Sequence, residues 1–255
     1  MKKKILIMGL PGSGKTTLAK IIANKLNADW FNADKIRGLN NDWDFSKKGI
    51  IRQVKRMAFL AKKSKKRFVV ADFICPLKLQ MDIFKPNYVV WMDTIKKSRY
   101  PKINKIFKKP KKYNLRVTSK NIALWQIPIL DEFKKYKWNN KKETAQMLGR
   151  YQPWHEGHKK LFEKIILRNQ QVNIQIKDVK GINDNPFTFF EIKNIIRKSL
   201  FHFRGRIKIT KVPNISNIFY GRTVGYNIEK INLDKNLQLI SATKIRRKLR
   251  RAGKL

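Results

Sequence analysis

Residues 3–26 read KKILIMGLPGSGKTTLAKIIANKL, and this stretch decides the fold of the first half of the chain. Ile5–Met8 is a continuous apolar run of the kind buried on both faces of a parallel sheet. Gly9 to Thr16 fits G-x-x-x-x-G-K-[ST], and an amphipathic helical pattern follows directly. In that setting Gly9, Gly12, Ser13 and Gly14 let backbone N–H groups wrap a phosphate while the helix N-terminus adds its dipole. Lys15 is expected to reach the β- and γ-phosphates, Thr16 to place its hydroxyl on Mg2+, and Thr17 to line the same site. ATP is the expected substrate here, with Mg2+ as cofactor.

The same order of events recurs at residues 144–167, TAQMLGRYQPWHEGHKKLFEKIIL: an apolar strand, a turn with glycine, then an amphipathic helix. Strands are expected at Ile5–Met8, Phe68–Ala71 and Tyr88–Met92, and again at Ala145–Leu148, Val172–Ile176 and Ile207–Lys211. Helical periodicity covers Lys47–Lys63, Lys159–Arg168, Phe189–Phe203 and Thr243–Arg251. Strand–helix alternation in both halves predicts an α/β protein with two doubly wound, mostly parallel sheets. The boundary is expected near the polar stretch at 135–143, with domains over 1–141 and 142–255.

Composition bounds the partners. The chain has 255 residues, 60 Lys+Arg against 17 Asp+Glu, and a formal net charge of +43. A hydrophobic fraction of 42% argues against disorder despite that charge. One cysteine excludes a disulfide framework and a cysteine-rich zinc site. No run of about 18 apolar residues exists, so no membrane span is expected, and the apolar start reads as a first strand. The expected setting is the cytoplasm, or a host's cytoplasm if the chain is viral. AT-rich codons explain much of the 44 Lys, 31 Ile and 21 Asn but not the scarcity of Glu, at 6. Such charge draws polyanions of every kind. The most basic stretch, Lys96–Lys142, reads either as a solvated surface or as a flap over a polyphosphate site.

A second motif set lies in the later half. Only three histidines occur in the chain, and two fall in His155-Glu-Gly157-His158. Following Gly149, Arg150 and Gln152 at a strand end, this spacing puts both imidazoles at a helix start, where they can donate to phosphate oxygens. Near the end, Ile240-Ser241-Ala-Thr243-Lys-Ile-Arg246 offers hydroxyls that can cap the last helix and an arginine for the same triphosphate. A metal site on the two histidines lacks a third ligand nearby. Tyr220-Gly221-Arg222 and Gly225-Tyr226 form a further glycine-rich stretch that could shape a pocket.

The segment from Phe31-Asn-Ala-Asp34 through Arg37-Gly-Leu-Asn40 to Phe45-Ser46 resembles the DGDxxRxGLNxDLGFS motif of adenylylsulfate kinases. Arg52-Gln-Val-Lys-Arg56 is similar to that family's ENIRR helix, Phe73-Ile74-Cys75-Pro76 to FISP, and Val90-Trp-Met-Asp93-Thr94 to VFVDT. The likeness covers about residues 1–100 and implies a P-loop kinase that phosphorylates the 3′-hydroxyl of adenosine 5′-phosphosulfate in sulfate assimilation. By that resemblance Asp34 stands near the metal or the acceptor hydroxyl. Arg37 and Asn40 hold the acceptor nucleotide, Phe45 stacks on its base, and Ile74 lines its pocket. Asp72 is a further metal candidate. Three departures stand out. The family's histidine between Arg37 and Gly38 is missing, Cys75 replaces serine, and the usual lid gives way to RYPKINKIFKKPKKYNLRVT at 99–118. That flap resembles the short one of a viral and marine-bacterial branch.

Residues 144–250 resemble the cytidylyltransferase-like nucleotidyltransferases, whose paired signature is HxGH with a later ISxTxIR. The Asn185-Pro186-Phe187-Thr188 turn and GRYQPWHEGH look most like archaeal-type nicotinamide-nucleotide adenylyltransferases. The likeness implies a Rossmann-like fold and transfer of a nucleotidyl group from ATP or CTP to an anionic acceptor, with pyrophosphate released. His155 and His158 would stabilise the reacting phosphorus, and Arg246 would hold the β- or γ-phosphate. The sequence thus points to a bifunctional enzyme acting on nucleotides and an anionic small molecule. A homodimer is compatible with it. The alternatives are nucleic-acid end processing by a polynucleotide kinase-like first half, and a nucleic-acid binder with decayed sites.

Overall fold

The computed structural model describes every residue except 220, 222–224, 226 and 239. The described chain divides into two compact units, Met1–Lys134 and Lys135–Leu255. Both are α/β with parallel sheets.

The first unit runs β1 (Lys3–Gly9), α1 (Lys15–Leu26), β2 (Asp29–Asn32), α2 (Ala33–Leu39), α3 (Lys47–Lys63), β3 (Phe68–Phe73), α4 (Lys78–Phe84), β4 (Tyr88–Met92), α5 (Pro101–Ile106), β5 (Leu115–Val117) and α6 (Ile122–Lys134). Its five strands are parallel in the order β2-β3-β1-β4-β5. β1 and β4 are almost wholly buried, which is why they read as unbroken apolar runs. Successive β1 side chains alternate between faces. Leu6 and Met8 join a core with Val54, Met57 and Ala61 of α3 and Phe84 of α4. On the sheet's side chains at β3 and β4, Phe133 of α6 packs edge-on against Phe68 and Tyr88, with centroids 5.4 and 5.3 Å apart.

The stretch Lys96–Lys142 does not form one flap. It supplies β5, which extends the sheet, and α6, which buries Leu124, Trp125, Pro128 and Ile129. β2 and β5 carry too few apolar residues in sequence to be read as strands. Pairing with β3 and β4 makes them so.

The second unit runs β6 (Thr144–Gly149), α7 (Glu156–Arg168), β7 (Gln171–Lys177), α8 (Phe189–Ser199), β8 (Ile207–Val212), α9 (Lys235–Gln238) and α10 (Ala242–Arg251). Its described strands form a parallel sheet in the order β6-β7-β8. The helix expected over Phe189–Phe203 ends at Ser199, and Phe201–Phe203 closes it as a 3-10 turn. The glycine-rich stretch at 220–226 lies largely outside the described residues.

Candidate active sites

In the first unit the loop between β1 and α1 sits at the carboxyl end of the central strand, where open α/β sheets bind ligands. Gly9 is held at φ 147°, and a Cβ there would lie 2.5 Å from the carbonyl oxygen of Met92. Gly14, at φ 90°, is the N-cap of α1, so the helix opens with a left-handed turn only glycine adopts freely. Thr94 clasps the loop by donating from Oγ1 to the Ser13 carbonyl at 2.8 Å. The Ser13 hydroxyl is buried and has no partner. Lys15 folds back and donates to the Leu10 carbonyl at 2.9 Å. Burial lowers its pKa, opposed by the nearby charges of Asp72 and Asp34.

Asp72, at the end of β3 and buried, meets the loop from the neighbouring strand. Its Oδ2 accepts from the Thr16 hydroxyl and from Asn32 Nδ2, each at 2.8 Å. Its Oδ1 accepts from Trp30 Nε1 at 2.6 Å. Asp72 is therefore satisfied by side chains, two of which, Trp30 and Asn32, sequence reasoning passed over. Asn32 stands inside the Phe31–Ser46 segment without a role assigned to it, and Trp30 lies just before that segment. Among the described residues no three His, Cys, Asp or Glu side chains gather as a metal-binding group.

A cleft of about 500 Å³, part of it open solvent, is lined by Asp34, Arg37, Phe45, Ile74 and Cys75 among others. Four of the five residues read as acceptor- or metal-facing around α2 thus share one cavity. Asn40 does not: its Nδ2 donates to the Ile36 carbonyl at 2.8 Å, closing the end of its own helix. Arg37 is buried and donates from Nη1 to the carbonyls of Asp42 and Asp44, both at 2.9 Å. Its guanidinium lies over the Phe45 ring at 4.8 Å. Phe45 is 53% exposed, so it is cleft wall rather than core. Asp42 gathers Arg52, Arg56 and Arg37 around it, and the Arg52 fork holds its carboxyl well below the usual range. Burial raises the Cys75 thiol to about 12, which keeps it protonated.

The second unit builds its site at the end of β6. Gly149 closes the strand and Arg150 stands exposed beside it. Tyr151 is buried at φ 51°, its hydroxyl donating to the Met147 carbonyl at 2.6 Å. Gln152 clasps the Phe187 backbone through both ends of its amide, each bond 2.9 Å. His155 is the N-cap of α7 and stacks on His158 at 3.8 Å between centroids. His158 Nδ1 accepts the His155 backbone N–H at 3.3 Å, which leaves the proton of the neutral ring on Nε2 as a donor. Burial, and then the adjacent His155, push the His158 pKa down to about 3. His155 is also lowered by burial, and its Nδ1 is buried with no partner. A Cβ on Gly157 would lie 3.0 Å from the His155 ring, a tight contact that the ring could relieve only by shifting a few tenths of an ångström.

Arg246 on α10 is buried and paired through Nε with Asp184 at 2.7 Å. It also donates from Nη1 to the Gln152 carbonyl and from Nη2 to the Thr243 hydroxyl, the latter at 3.3 Å. Arg246 therefore ties α10 to the loop before His155, a structural task the motif did not reveal. Ser241 occupies the N-cap of α10 but its side chain makes no capping bond. Ile240 precedes it, half-buried. His202 is half-buried in the 3-10 turn, and burial lowers its pKa.

No helix among the described residues is long and apolar enough to cross a membrane. The search of curated proteins found no match. Among solved structures, the adenylylsulfate kinase of Mycobacterium tuberculosis is similar at 23% identity, over 52% of this chain and 97% of that one, with a TM-score of 0.43. Shikimate kinase of Aquifex aeolicus is similar at 16% identity, over 52% of this chain and 96% of that one, with a TM-score of 0.38. The family described as adenylylsulphate kinase matches residues 1–87, the part of the first unit that carries the P-loop and most of the cleft beside α2, which makes that unit adenylylsulphate kinase-like there.

Proposed function

We propose that the first unit transfers the γ-phosphoryl group of ATP to a hydroxyl of a small molecule bound in the cleft beside α2. The observation that carries this reading is the junction of Lys15, Thr16 and Asp72 at the loop, next to a cleft that Asp34 and Arg37 enter. Lys15 would exchange the Leu10 carbonyl for phosphate oxygens. The acceptor oxygen would attack the γ-phosphorus while the bond to the β–γ bridging oxygen breaks, leaving ADP. Asp34 would orient the hydroxyl and take its proton. An oxygen-seeking ion suits the site, because the Thr16 hydroxyl and the Asp72 carboxylate supply hard ligands and nucleotide and water complete the shell. Bound there, Mg2+ would neutralise charge on the phosphates, with Asp34 close by.

The residue pattern of 31–76 favours adenosine 5′-phosphosulfate as acceptor, through Arg37, Phe45 and Ile74. Purified protein with ATP and a panel of acceptors, read by mass spectrometry, tests this. ADP formation that depends on adenosine 5′-phosphosulfate supports it. Phosphorylation of a 5′-hydroxyl oligonucleotide instead would transfer the reading to nucleic-acid end processing.

We further propose that the second unit transfers a nucleotidyl group from ATP or CTP to an anionic acceptor. The stacked, neutral histidine pair at the N-terminus of α7 favours this, since His158 Nε2 is a donor at a helix end suited to phosphate. Pyrophosphate release with either nucleotide checks it, and protein that binds nucleic acid but turns over neither nucleotide would mark a binding module.

A further inference from the structure

We infer that Trp30 is a positioning residue for the carboxylate of Asp72, an inference that rests on the kinase reading of the first unit. Asp72 is 2% exposed, and both its oxygens are engaged. Three donors share the work. Thr16 comes from the phosphate loop and stands open to solvent, on the side where nucleotide would lie. Asn32 and Trp30 come from β2, the strand beside β3.

The register explains how both reach. Asn32 lies directly opposite Asp72, and Trp30 opposite Val70, so Trp30 and Asn32 are two residues apart on one face of β2. The amide takes Oδ2 and the indole takes Oδ1 at 2.6 Å. Donors on different oxygens fix the carboxylate plane, and a fixed plane presents the same lone pairs to Thr16 and to any ion beside it. Without the indole, Oδ1 would be a buried acceptor with no partner, a costly state for an ionised group.

The indole is itself under electrostatic control. Lys35 of α2 lies 4.9 Å from the Trp30 ring centroid, and Lys20 of α1 lies 5.7 Å from it. Cations against a π face draw electron density from the ring and make its N–H a stronger donor. Two exposed lysines on separate helices thus act on the buried carboxylate through the ring between them. Trp30 and Lys20 lie outside both the loop motif and the acceptor pattern, and Lys35 fills a variable position of the latter.

The test measures metal binding directly on the full chain. Mn2+ affinity in the presence of ADP is followed by electron paramagnetic resonance for wild type, Trp30→Phe, and the double variant Lys20→Met with Lys35→Met. ADP affinity in EDTA and melting temperature accompany each. Trp30→Phe is expected to weaken Mn2+ about tenfold, as loss of a partner to a metal-holding group does, with ADP affinity in EDTA unchanged. The double variant keeps the indole N–H and is expected to weaken Mn2+ by about two- to threefold. Unchanged Mn2+ affinity in a folded Trp30→Phe, or an equal fall of ADP affinity in EDTA, overturns the inference. Should Trp30→Phe fail to fold, undiminished Mn2+ affinity in the lysine variant overturns it alone. Wild type that binds no Mn2+ with ADP would sink the kinase reading and this inference together, which is a different result from binding that survives both changes.

Discussion

Arg246 and Asp184 are joined through Nε and Oδ2 at 2.7 Å although 62 residues separate them in the chain. Asp184 also receives Arg250, so one carboxylate holds two arginines of α10. Arg246 is buried while Asp184 is half exposed. Removing the carboxylate leaves the guanidinium partly stranded. Asp184→Ala is therefore expected to lower the melting temperature of the second unit and to weaken nucleotide binding there. Asp184→Glu should restore part of both. A calorimetric scan beside a nucleotide titration checks the pair, and an unchanged scan would mean that α10 is held by other contacts.

The histidine pair gives the second unit a predicted acid sensitivity. His158 stays neutral in the folded state, with its pKa pushed down to about 3, whereas unfolded chain titrates at its ordinary value near 6.5. Below that ordinary value the unfolded state binds the extra proton. Stability from this group is thus full above about pH 6.5 and falls as pH drops toward 3, at about 1.4 kcal/mol per pH unit. Chemical denaturation across pH 4 to 8, wild type against His158→Gln, should show the slope in the first and a flatter line in the second.

Lys15→Ala should abolish ATP-dependent phosphotransfer in the first unit, by roughly a hundredfold or more, while pyrophosphate release by the second continues. Separate assays of ADP and pyrophosphate decide it. Equal loss of both would mean that the variant has unfolded or that one site serves both reactions.

Gly49 tests the loop that shapes the acceptor cleft. It is the third residue of α3, where its N–H is capped by the Ser46 hydroxyl at 3.2 Å. A Cβ there would lie 2.3 Å from the Asp44 carbonyl oxygen, against backbone that cannot swing aside. Gly49→Ala should cost about 1–3 kcal/mol of stability despite alanine's better helix propensity, measured by denaturant titration. A neutral or stabilising result would show that the 42–46 loop moves freely.

Phe45→Ala should leave melting temperature almost unchanged, because the ring is exposed cleft wall. It should raise the KM for the acceptor while sparing the KM for ATP. Steady-state kinetics with each substrate varied in turn separate the two, and a rise in the ATP KM alone would move Phe45 out of the acceptor site.

Local patterns carried much of the fold. Tyr88–Met92 and Lys47–Lys63 have the bounds expected from sequence, because one is a buried apolar run and the other a full amphipathic helix. The strands β2 and β5 were not legible, since DWFN and LRV are too short for any periodicity to stand out. Asn40 and Ser241 illustrate the limit at the sites. Each sits in a motif that suggests a ligand or a cap, yet Asn40 turns to Ile36 and Ser241 makes no cap.

By itself the sequence determined the phosphate loop and the HxGH turn, because each is a short contiguous stretch whose glycine, lysine or histidine spacing dictates its own backbone. Only tertiary structure decided what those loops meet. Parallel strands bring carboxyl ends together from distant parts of the chain, so Thr16 finds Asp72, and Asp72 finds Trp30 and Asn32, through sheet order and register. Arg246 finds Asp184 in the same way, through the packing of α10. Contacts across such separations leave no periodicity in sequence, and the polar side chains that make them look like any others until the sheet is formed.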